Sequence, residues 1–185
     1  MSGVFVAIVG PSGAGKDTII ECARTALAGC TDIAFPRRLI TRPTGAGEEC
    51  ISVTDDDFAH AEDHGALAVS WRAHGLSYGI PVSARTTVDA GGVVVANVSR
   101  GVIAELPDLF AGVRVVRITV SDDIRLARII ARGRETRDAA AARIARPDPA
   151  PAHPVDLEIV NDGTLDEACT QLVEFLRRAR DVVPR

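Results

Sequence analysis

The chain has 185 residues, of which 46% are hydrophobic, and a formal net charge of −4 at pH 7. That length suits one substantial core and is short for two ordinary domains, and the hydrophobic content excludes general disorder. The negative charge gives no general attraction to nucleic acid or to an anionic membrane, and no stretch approaches the roughly 18 apolar residues of a membrane span, so neither is expected as a partner.

Apolar runs separated by helix-like segments indicate an α/β protein. The predicted strands are Val4–Val9, a strand near Ala34–Thr41, Gly92–Ala96, Val113–Val120 and Val155–Val160. The predicted helices run from Asp17 to about Ala28, from Gly101 to Phe110, from Asp122 to about Ala145 and from Leu165 to Arg180. Strands that alternate with helices favour a parallel sheet covered by helices on both faces.

These elements predict one domain of 185 residues with three parts. The core is expected at about 1–41, 92–121 and 155–185, with a polar substrate lobe at about 42–91 and an arginine-rich lid at about 122–146. A proline-rich link, Pro147–Pro154, should join the lid to the last strand. The last helix should begin with a capping box, because Glu167 follows Thr164 by three residues.

A glycine-rich loop between the first strand and the first helix contains Lys16, the one lysine beside twenty arginines. The loop matches G-x-x-x-x-G-K-[ST] except at its last position, where Asp17 replaces a hydroxyl residue. Such loops turn backbone N–H groups towards phosphate oxygens, and the lysine reaches the β- and γ-phosphates. We therefore predict an ATP site made of Gly10, Pro11, Ser12, Gly13, Ala14, Gly15, Lys16, Asp17 and Thr18; the alternative is a glycine-rich turn without a ligand.

At Asp17 and Asn97 the chain has residue types that differ from those that usually hold Mg²⁺ in phosphate-loop enzymes. A Ser or Thr of the loop and an Asp on a second strand are the usual pair, whereas here the loop ends in a carboxylate and the strand ends in an amide. We expect Asp17 to contact Mg²⁺ directly or through water, and Asn97 to contact substrate or a metal-bound water.

Arginine clusters suggest phosphate contacts at two further places. Arg125, Arg128 and Arg132 share one helix face by their spacing, and they either close over phosphates or form a solvated face paired with Asp122 and Asp123. Arg38 and Arg42 lie on one side of an extended segment. They could hold an acceptor phosphate or be ordinary surface arginines.

Two rare aromatic residues lie close together in the predicted lobe. Trp71 and Tyr78 are the one Trp and the one Tyr of the chain, and they flank His74 and Gly75. This combination predicts a shaped polar pocket, with core packing of Trp71 as the alternative.

The cysteines predict a redox state. Cys22, Cys30, Cys50 and Cys169 are far apart and form no C-x-x-C pair. That spacing favours reduced thiols and argues against a zinc site, so we expect a cytoplasmic protein. The sequence gives no indication of the oligomeric state.

The motifs described above follow one another along the chain in the order that the guanylate-kinase-like branch of the nucleoside monophosphate kinases uses, and the chain resembles that branch. The resemblance implies a core parallel sheet, a small substrate lobe and an arginine lid. Guanylate kinases read guanine with a glutamate six residues before the glycine of H-G-x-x-Y-G, and Val69 takes that place here. An apolar residue cannot accept a hydrogen bond from guanine, so guanine is not the expected acceptor base.

Where the chain differs from guanylate kinases, it is similar to the ribose 1,5-bisphosphate phosphokinase family, which works in phosphonate catabolism. The shared motifs, in order, are at Gly10–Asp17, Arg38–Arg42, Ser70–Gly79, Asn97–Arg100, Arg132–Glu135 and Asn161–Gly163. The resemblance implies transfer of the ATP γ-phosphate to α-D-ribose 1,5-bisphosphate, which gives 5-phospho-α-D-ribose 1-diphosphate (PRPP) and ADP.

The same resemblance implies residue roles. Arg132 and Arg143 would stabilise the transferring phosphoryl group, and Arg38, Arg42 and Arg100 would bind the sugar phosphates. The sugar pocket would be shaped by Trp71, Tyr78 and Asn97. Asn161 and Asp162 would pack on the nucleotide base, or they form a plain turn before Thr164. Two other functions stay open: a guanylate or other nucleotide kinase, and a non-catalytic nucleotide-binding module.

Overall fold

A computed structural model describes residues 2–43, 50–131, 144 and 153–181. The strands are β1 (Val4–Val9), β2 (Ile33–Ala34), β3 (Arg38–Ile40), β4 (Cys50–Ser52), β5 (Leu67–Ala73), β6 (Leu76–Pro81), β7 (Val93–Asn97), β8 (Val113–Thr119) and β9 (Leu157–Val160). The α-helices are α1 (Lys16–Ala26), α2 (Asp55–Asp63), α3 (Ser83–Asp89), α4 (Leu106–Leu109), α5 (Asp122–Ala131) and α6 (Leu165–Asp181). A 3₁₀ helix, Arg100–Glu105, precedes α4.

The core sheet has five parallel strands in the order β2-β7-β1-β8-β9. Strand β1 lies between β7 and β8, so the chain reverses its direction of winding at β1. In open parallel sheets, ligands bind outside the carboxyl ends of the strands at such a point. The predicted parallel sheet is therefore confirmed, and its topology marks the end of β1 as the place for a site.

Both faces of the core sheet are buried, which explains the continuous apolar runs of its strands. Alternate residues of β1 enter two clusters: Val4, Val6 and Ile8 pack towards α1 and α6, and Phe5, Ala7 and Val9 pack towards α3 and α4. Strand β1 thereby anchors the loop that follows it in the centre of the molecule.

A second, small sheet has the order β4-β3-β6-β5, with β3 and β4 parallel and the other pairs antiparallel. The strand predicted near Ala34–Thr41 is two strands, β2 in the core sheet and β3 in the small sheet. Pro36 lies between them and has no N–H group with which to continue a ladder. The small sheet therefore begins at Arg38, before the predicted lobe boundary at Arg42.

The helix predicted from Gly101 to Phe110 forms in two pieces, the 3₁₀ helix and α4. Pro107 lies at the start of α4 and cannot donate to the carbonyl four residues earlier, so a continuous α-helix is interrupted there. For the helix predicted from Asp122 to about Ala145, α5 confirms the first ten residues. The rest of that helix, apart from residue 144, and most of the predicted proline-rich link lie outside the described residues.

Helix α6 begins with the predicted capping box. The Thr164 amide donates to the Glu167 carboxylate at 2.9 Å, and the Glu167 amide donates to the Thr164 hydroxyl at 3.3 Å. The two reciprocal bonds satisfy N–H groups that a helix start leaves open. No helix in the described ranges is long and apolar enough to cross a membrane.

The expectation of four reduced thiols is wrong for one pair. Cys22 of α1 and Cys169 of α6 form a disulfide with a Cα–Cα distance of 5.9 Å, and Cys30 and Cys50 are free. The two helices pack side by side on one face of the core sheet, which brings together cysteines 147 residues apart. Sequence spacing alone carries no sign of that contact.

Candidate functional site

The phosphate loop, residues Gly10–Thr18, joins β1 to α1 at the carboxyl edge of the core sheet. Gly15 occupies the position before α1 with a φ of 89°, a left-handed conformation that side chains disfavour. A Cβ at Gly10 would overlap the carbonyl oxygen of Ile118 in β8. Glycine is thus required by backbone shape at Gly15 and by space at Gly10, and the loop keeps the form that backbone anion sites use.

Lys16 lies over the same loop. Its Nζ donates to the carbonyl oxygens of Gly10 and Pro11, each at 2.9 Å. The ammonium group is therefore held across the mouth of the loop, where a phosphate cradled by the backbone amides would meet it.

Asn161 supports the loop from the end of β9. It is 5% exposed, the one polar side chain among the described residues that is buried. Its Nδ2 donates to the carbonyl oxygen of Ala14 at 2.8 Å, and a Cβ at Gly15 would lie 2.5 Å from the same nitrogen. The amide is therefore in contact with the phosphate loop itself, a role that the sequence-based assignment to the nucleotide base did not include.

The described part of the arginine face on α5 also contacts the loop. Arg125 donates from Nε to the Ser12 carbonyl at 2.8 Å and lies 3.6 Å from the Asp122 carboxylate. Arg128 donates to the Asn161 carbonyl at 3.2 Å. The ion pair with Asp122 was the expected alternative, whereas the contacts with main-chain carbonyls were not predicted. Arg132 and Arg143 lie outside the described residues.

Asp17 and Asn97, predicted to share the metal and substrate end of the site, are in direct contact. Asn97 Nδ2 donates to Asp17 Oδ1 at 2.6 Å. The other carboxylate oxygen lies 3.9 Å from a guanidinium nitrogen of Arg38, whose side chain is 17% exposed. The loop of the core sheet and the first strand of the small sheet therefore meet through one carboxylate.

Arg38 continues this contact into the small sheet. Its guanidinium carbon lies 5.7 Å from the centre of the Tyr78 ring. Tyr78 in turn stacks on Trp71, with ring centres 5.4 Å apart and an angle of 5° between the planes. Trp71 belongs to the buried apolar cluster, as the core-packing alternative expects, and so does Val69. Val69, which stands where guanylate kinases carry a guanine-reading glutamate, is thus buried among apolar side chains.

A cavity of about 170 Å³ opens beside Asp17, between α1 and the chain that enters the small sheet. Its lining adds residues that the sequence analysis did not select: Ile20, Glu21, Arg24, Phe35, Pro36, Arg37, Ile80 and Val95. One signal could have found part of it, because positions 17, 20, 21 and 24 have the spacing of a single helix face.

A carboxylate and a guanidinium form a close pair on that helix face. Arg24 donates to both carboxylate oxygens of Glu21, at 2.5 and 2.8 Å. The hydrogen bond from Arg24 lowers the pKa of Glu21 below its ordinary value of 4.5. The pair therefore stays charged at neutral pH and fixes the direction of the Arg24 side chain.

The structure also describes other predicted residues. The main-chain carbonyl of Arg42 accepts from the Ser52 hydroxyl at 2.8 Å, and Arg100 starts the 3₁₀ helix. Asp162 Oδ1 accepts from the Ser121 amide at 2.7 Å, which fits the alternative of a turn before Thr164.

The residues present fit Mg²⁺ that is bound together with a nucleotide. No group of three or more His, Cys, Asp or Glu side chains in the described part of the chain is arranged to hold a metal ion. Mg²⁺ in kinases is bound through one or two carboxylates with phosphate oxygens and water. Asp17, 39% exposed beside the phosphate loop, can supply one such carboxylate.

A phosphate loop at the carboxyl edge of a parallel sheet, facing a separate small sheet, defines a P-loop kinase of the guanylate-kinase-like class. The fold agrees with the crystal structure of guanylate kinase from Anaplasma phagocytophilum, with a TM-score of 0.70 over 97% of this chain and 87% of that one. The two sequences are 19% identical, so this likeness concerns the fold alone.

Sequence comparison identifies the family. No protein-family model matches the chain. A ribose 1,5-bisphosphate phosphokinase from Pseudofrankia inefficax is 51% identical over 94% of this chain and 90% of its own length. Another from Methylobacterium radiotolerans is 46% identical over 96% and 99%. A bifunctional ribose 1,5-bisphosphokinase-thymidine phosphorylase from Cupriavidus necator is 47% identical over 95% of this chain and 29% of its own. The chain belongs to the ribose 1,5-bisphosphate phosphokinase family.

Proposed function

We propose that the protein transfers the γ-phosphate of ATP to the 1-phosphate of α-D-ribose 1,5-bisphosphate and forms PRPP and ADP. The observation that carries this proposal is the cavity beside the phosphate loop. It begins at Asp17 and Asn97 and is lined by three arginines, Arg24, Arg37 and Arg38. Arginines recognise phosphate, whereas a base-reading pocket needs an acceptor such as the carboxylate that Val69 replaces.

The reaction needs positioning and charge neutralisation more than acid–base chemistry. An acceptor phosphate is already ionised at neutral pH, so one of its oxygens can attack the γ-phosphorus without a general base. The new P–O bond forms as the bond from the γ-phosphorus to the bridging oxygen breaks, and ADP leaves with that electron pair.

Each part of the site would contribute to this transfer. The phosphate loop binds the β- and γ-phosphates through its amides and Lys16. Mg²⁺, when bound, supplies further positive charge that neutralises the phosphates. We assign Asp17 to hold it. Arg38, Arg42 and Arg100 would bind the acceptor, beside Tyr78 and Asn97. Arg132 and Arg143 would neutralise the charge that develops on the transferring group.

The cellular setting belongs to the same proposal. ATP and a small sugar phosphate would be the ligands, with no nucleic acid or membrane partner, and the reaction would belong to phosphonate catabolism. We place the protein in the cytoplasm because its phosphate donor is ATP; the thiols do not support that compartment, since Cys22 and Cys169 form a disulfide. Residues at about 42–91 would serve as the substrate lobe of a single domain, and residues at about 122–146 as its lid.

The test is ADP release from Mg·ATP with ribose 1,5-bisphosphate and with GMP, measured in parallel. Lys16→Ala serves as the blank, because it removes the ammonium group from the phosphates while the glycines remain. Turnover with the sugar bisphosphate and not with GMP supports the proposal. A preference for GMP would make the protein a guanylate kinase. ATP binding without turnover on either acceptor would indicate a non-catalytic module.

A further inference from the structure

The cavity extends from the phosphate loop along α1. Asp17 lies at its start, and Arg24 lies seven residues later on the same helix face. Seven residues of α-helix span about 10 Å. The cavity is therefore long enough to hold a ligand with one group beside the phosphate loop and another at a distance from it.

The cavity carries charged groups near both ends. The near end carries Asp17, Asn97 and Arg38, whose guanidinium lies 3.9 Å from the Asp17 carboxylate, and the far end carries Arg24; Arg37 also lines the cavity. The apolar lining consists of Ile20, Phe35, Pro36, Ile80 and Val95. This arrangement suits a compact ligand that carries an anionic group at each end.

Arg24 and Arg37 are held in place by neighbouring groups. The Glu21 carboxylate holds Arg24 at 2.5 and 2.8 Å, and Arg37 donates to the Cys50 carbonyl at 3.1 Å. A guanidinium has five N–H donors in a planar fork, so it can bind a phosphate while it keeps a protein partner. The two side chains are thus oriented before a ligand arrives, which lowers the entropy lost on binding.

We propose that the far end of the cavity binds the 5-phosphate of the acceptor, with Arg24 and Arg37 as its direct ligands. This assignment rests on the proposed function, because it places the 1-phosphate at the near end, beside Asp17 and Asn97. Arg38, whose guanidinium lies 3.9 Å from the Asp17 carboxylate, is then next to the 1-phosphate. The enzyme therefore selects a sugar that is phosphorylated at both ends over a sugar phosphorylated at C1 alone.

The competing interpretation is a helix-surface ion pair without a ligand. Glu21 and Arg24 are separated by three residues and are both about half exposed, and such pairs form on many helices. That interpretation predicts the same effect of Arg24→Gln on every acceptor, whereas a 5-phosphate site predicts an effect only on ligands that carry this phosphate.

The experiment compares ligands that differ in one phosphate. Arg24→Gln, Arg37→Gln and the double variant are assayed with ribose 1,5-bisphosphate, and ribose 5-phosphate and α-ribose 1-phosphate are measured as competitive inhibitors. Arg178→Gln is the matched control, since Arg178 is an exposed helix arginine paired with Glu174 and lies outside the cavity. The midpoint of thermal unfolding is recorded for each variant to detect loss of folding.

Each single substitution is expected to raise the KM for ribose 1,5-bisphosphate and the Ki of ribose 5-phosphate about tenfold, the factor for one charge-assisted hydrogen bond. In the double variant, the fold-change in the Ki of α-ribose 1-phosphate is expected to be at least ten times smaller than the fold-change in the Ki of ribose 5-phosphate. Equal changes for both inhibitors, or none for either, would overturn the assignment. A wild type that releases no ADP with ribose 1,5-bisphosphate would instead contradict the proposed function, while the binding of ribose 5-phosphate would still report on the cavity.

Discussion

The side-chain amide of Asn161 donates to the main-chain carbonyl of Ala14 at 2.8 Å, across 147 residues of sequence. The Asn161 amide also lies against Gly15, where it occupies the space of a missing side chain. The main-chain carbonyl of Asn161 accepts from Arg128. One buried residue thus links the last strand, helix α5 and the phosphate loop, and we infer that it holds the loop in its binding conformation.

Asn161→Ala is therefore expected to weaken binding of any ligand that uses the loop. The Kd should rise about tenfold for ATP and for inorganic tripolyphosphate alike, because the lost hydrogen bond supports the loop rather than the base. Isothermal titration calorimetry with both ligands checks this, with Gln171→Ala as an exposed amide control. Weaker binding of ATP with unchanged binding of tripolyphosphate would show a contact to the base instead.

Gly15→Ala is expected to be more damaging than Asn161→Ala. The new methyl group would lie 2.5 Å from Asn161 Nδ2, on a residue whose φ of 89° disfavours a side chain. We expect nucleotide binding to fall by at least a factor of about 30, since close contact and backbone strain add. Gly29→Ala is the matched control, because a Cβ there meets nothing within 4 Å and should leave the Kd for ATP unchanged. Equal Kd values for the two variants would show that the loop can adjust around the methyl group.

Asp17→Asn tests the assigned metal contact. The amide can still accept from Asn97, but it lacks the charge that Mg²⁺ and Arg38 would meet. The Mg²⁺ concentration for half-maximal rate is expected to rise about tenfold, because hard cations prefer anionic oxygen ligands. Steady-state rates over a series of Mg²⁺ concentrations provide the measurement. Asp166→Asn, which removes an exposed carboxylate on α6, is the control. An unchanged Mg²⁺ requirement and rate would exclude Asp17 as a ligand.

The parts of the fold that the sequence predicted well are those decided by local pattern. The run Val4–Val9 is apolar on both faces because both faces of its strand are buried, and the glycines after it identified the phosphate loop. Thr164 and Glu167 form the predicted capping box because its bonds join residues three apart. Such features depend on neighbours in the chain, which the sequence displays directly.

The features that were missed depend on packing between distant segments. The Cys22–Cys169 disulfide exists because two helices lie side by side, and the cavity forms where α1 faces the chain before β3. Asn161 was noticed only as part of a short motif, and its contact with Ala14 required the loop and β9 to meet at one sheet edge. No periodicity in the sequence reports these meetings.

The Cys22–Cys169 disulfide predicts a dependence of stability on reductant. A cross-link over 147 residues restricts the unfolded chain, and native disulfides typically contribute about 2–4 kcal/mol. Dithiothreitol is expected to lower the midpoint of thermal unfolding of the wild type. It should have no effect on Cys22→Ser, in which the disulfide cannot form, while Cys30→Ser keeps the wild-type response. A wild type whose unfolding midpoint ignores reductant would contradict this expectation.

Glu62 of α2 links its helix to β5 and gives stability a pH dependence. Its carboxylate accepts from Arg72 at 2.6 Å and from the Ser70 hydroxyl at 2.5 Å. The hydrogen bond from Arg72, followed by that from Ser70, lowers the pKa of Glu62 below its ordinary value of 4.5. The folded state therefore favours the carboxylate, so this contribution is complete above about pH 4.5 and is lost as the pH falls through the lower folded-state pKa.

Glu62→Gln is expected to reduce the free energy of unfolding at pH 7 by about 0.5–1 kcal/mol, a small value because both side chains are more than a third exposed. The difference from wild type should shrink as the pH falls below 4.5, because Glu62 becomes protonated first in the unfolded chain and at lower pH in the folded protein. Urea unfolding at pH 7 and at pH 3.5 measures it. Glu174→Gln, which changes an exposed ion pair on α6, is the matched control. A Glu62→Gln difference that is as large at pH 3.5 as at pH 7 would show that the substitution acts through packing rather than through the charge of Glu62.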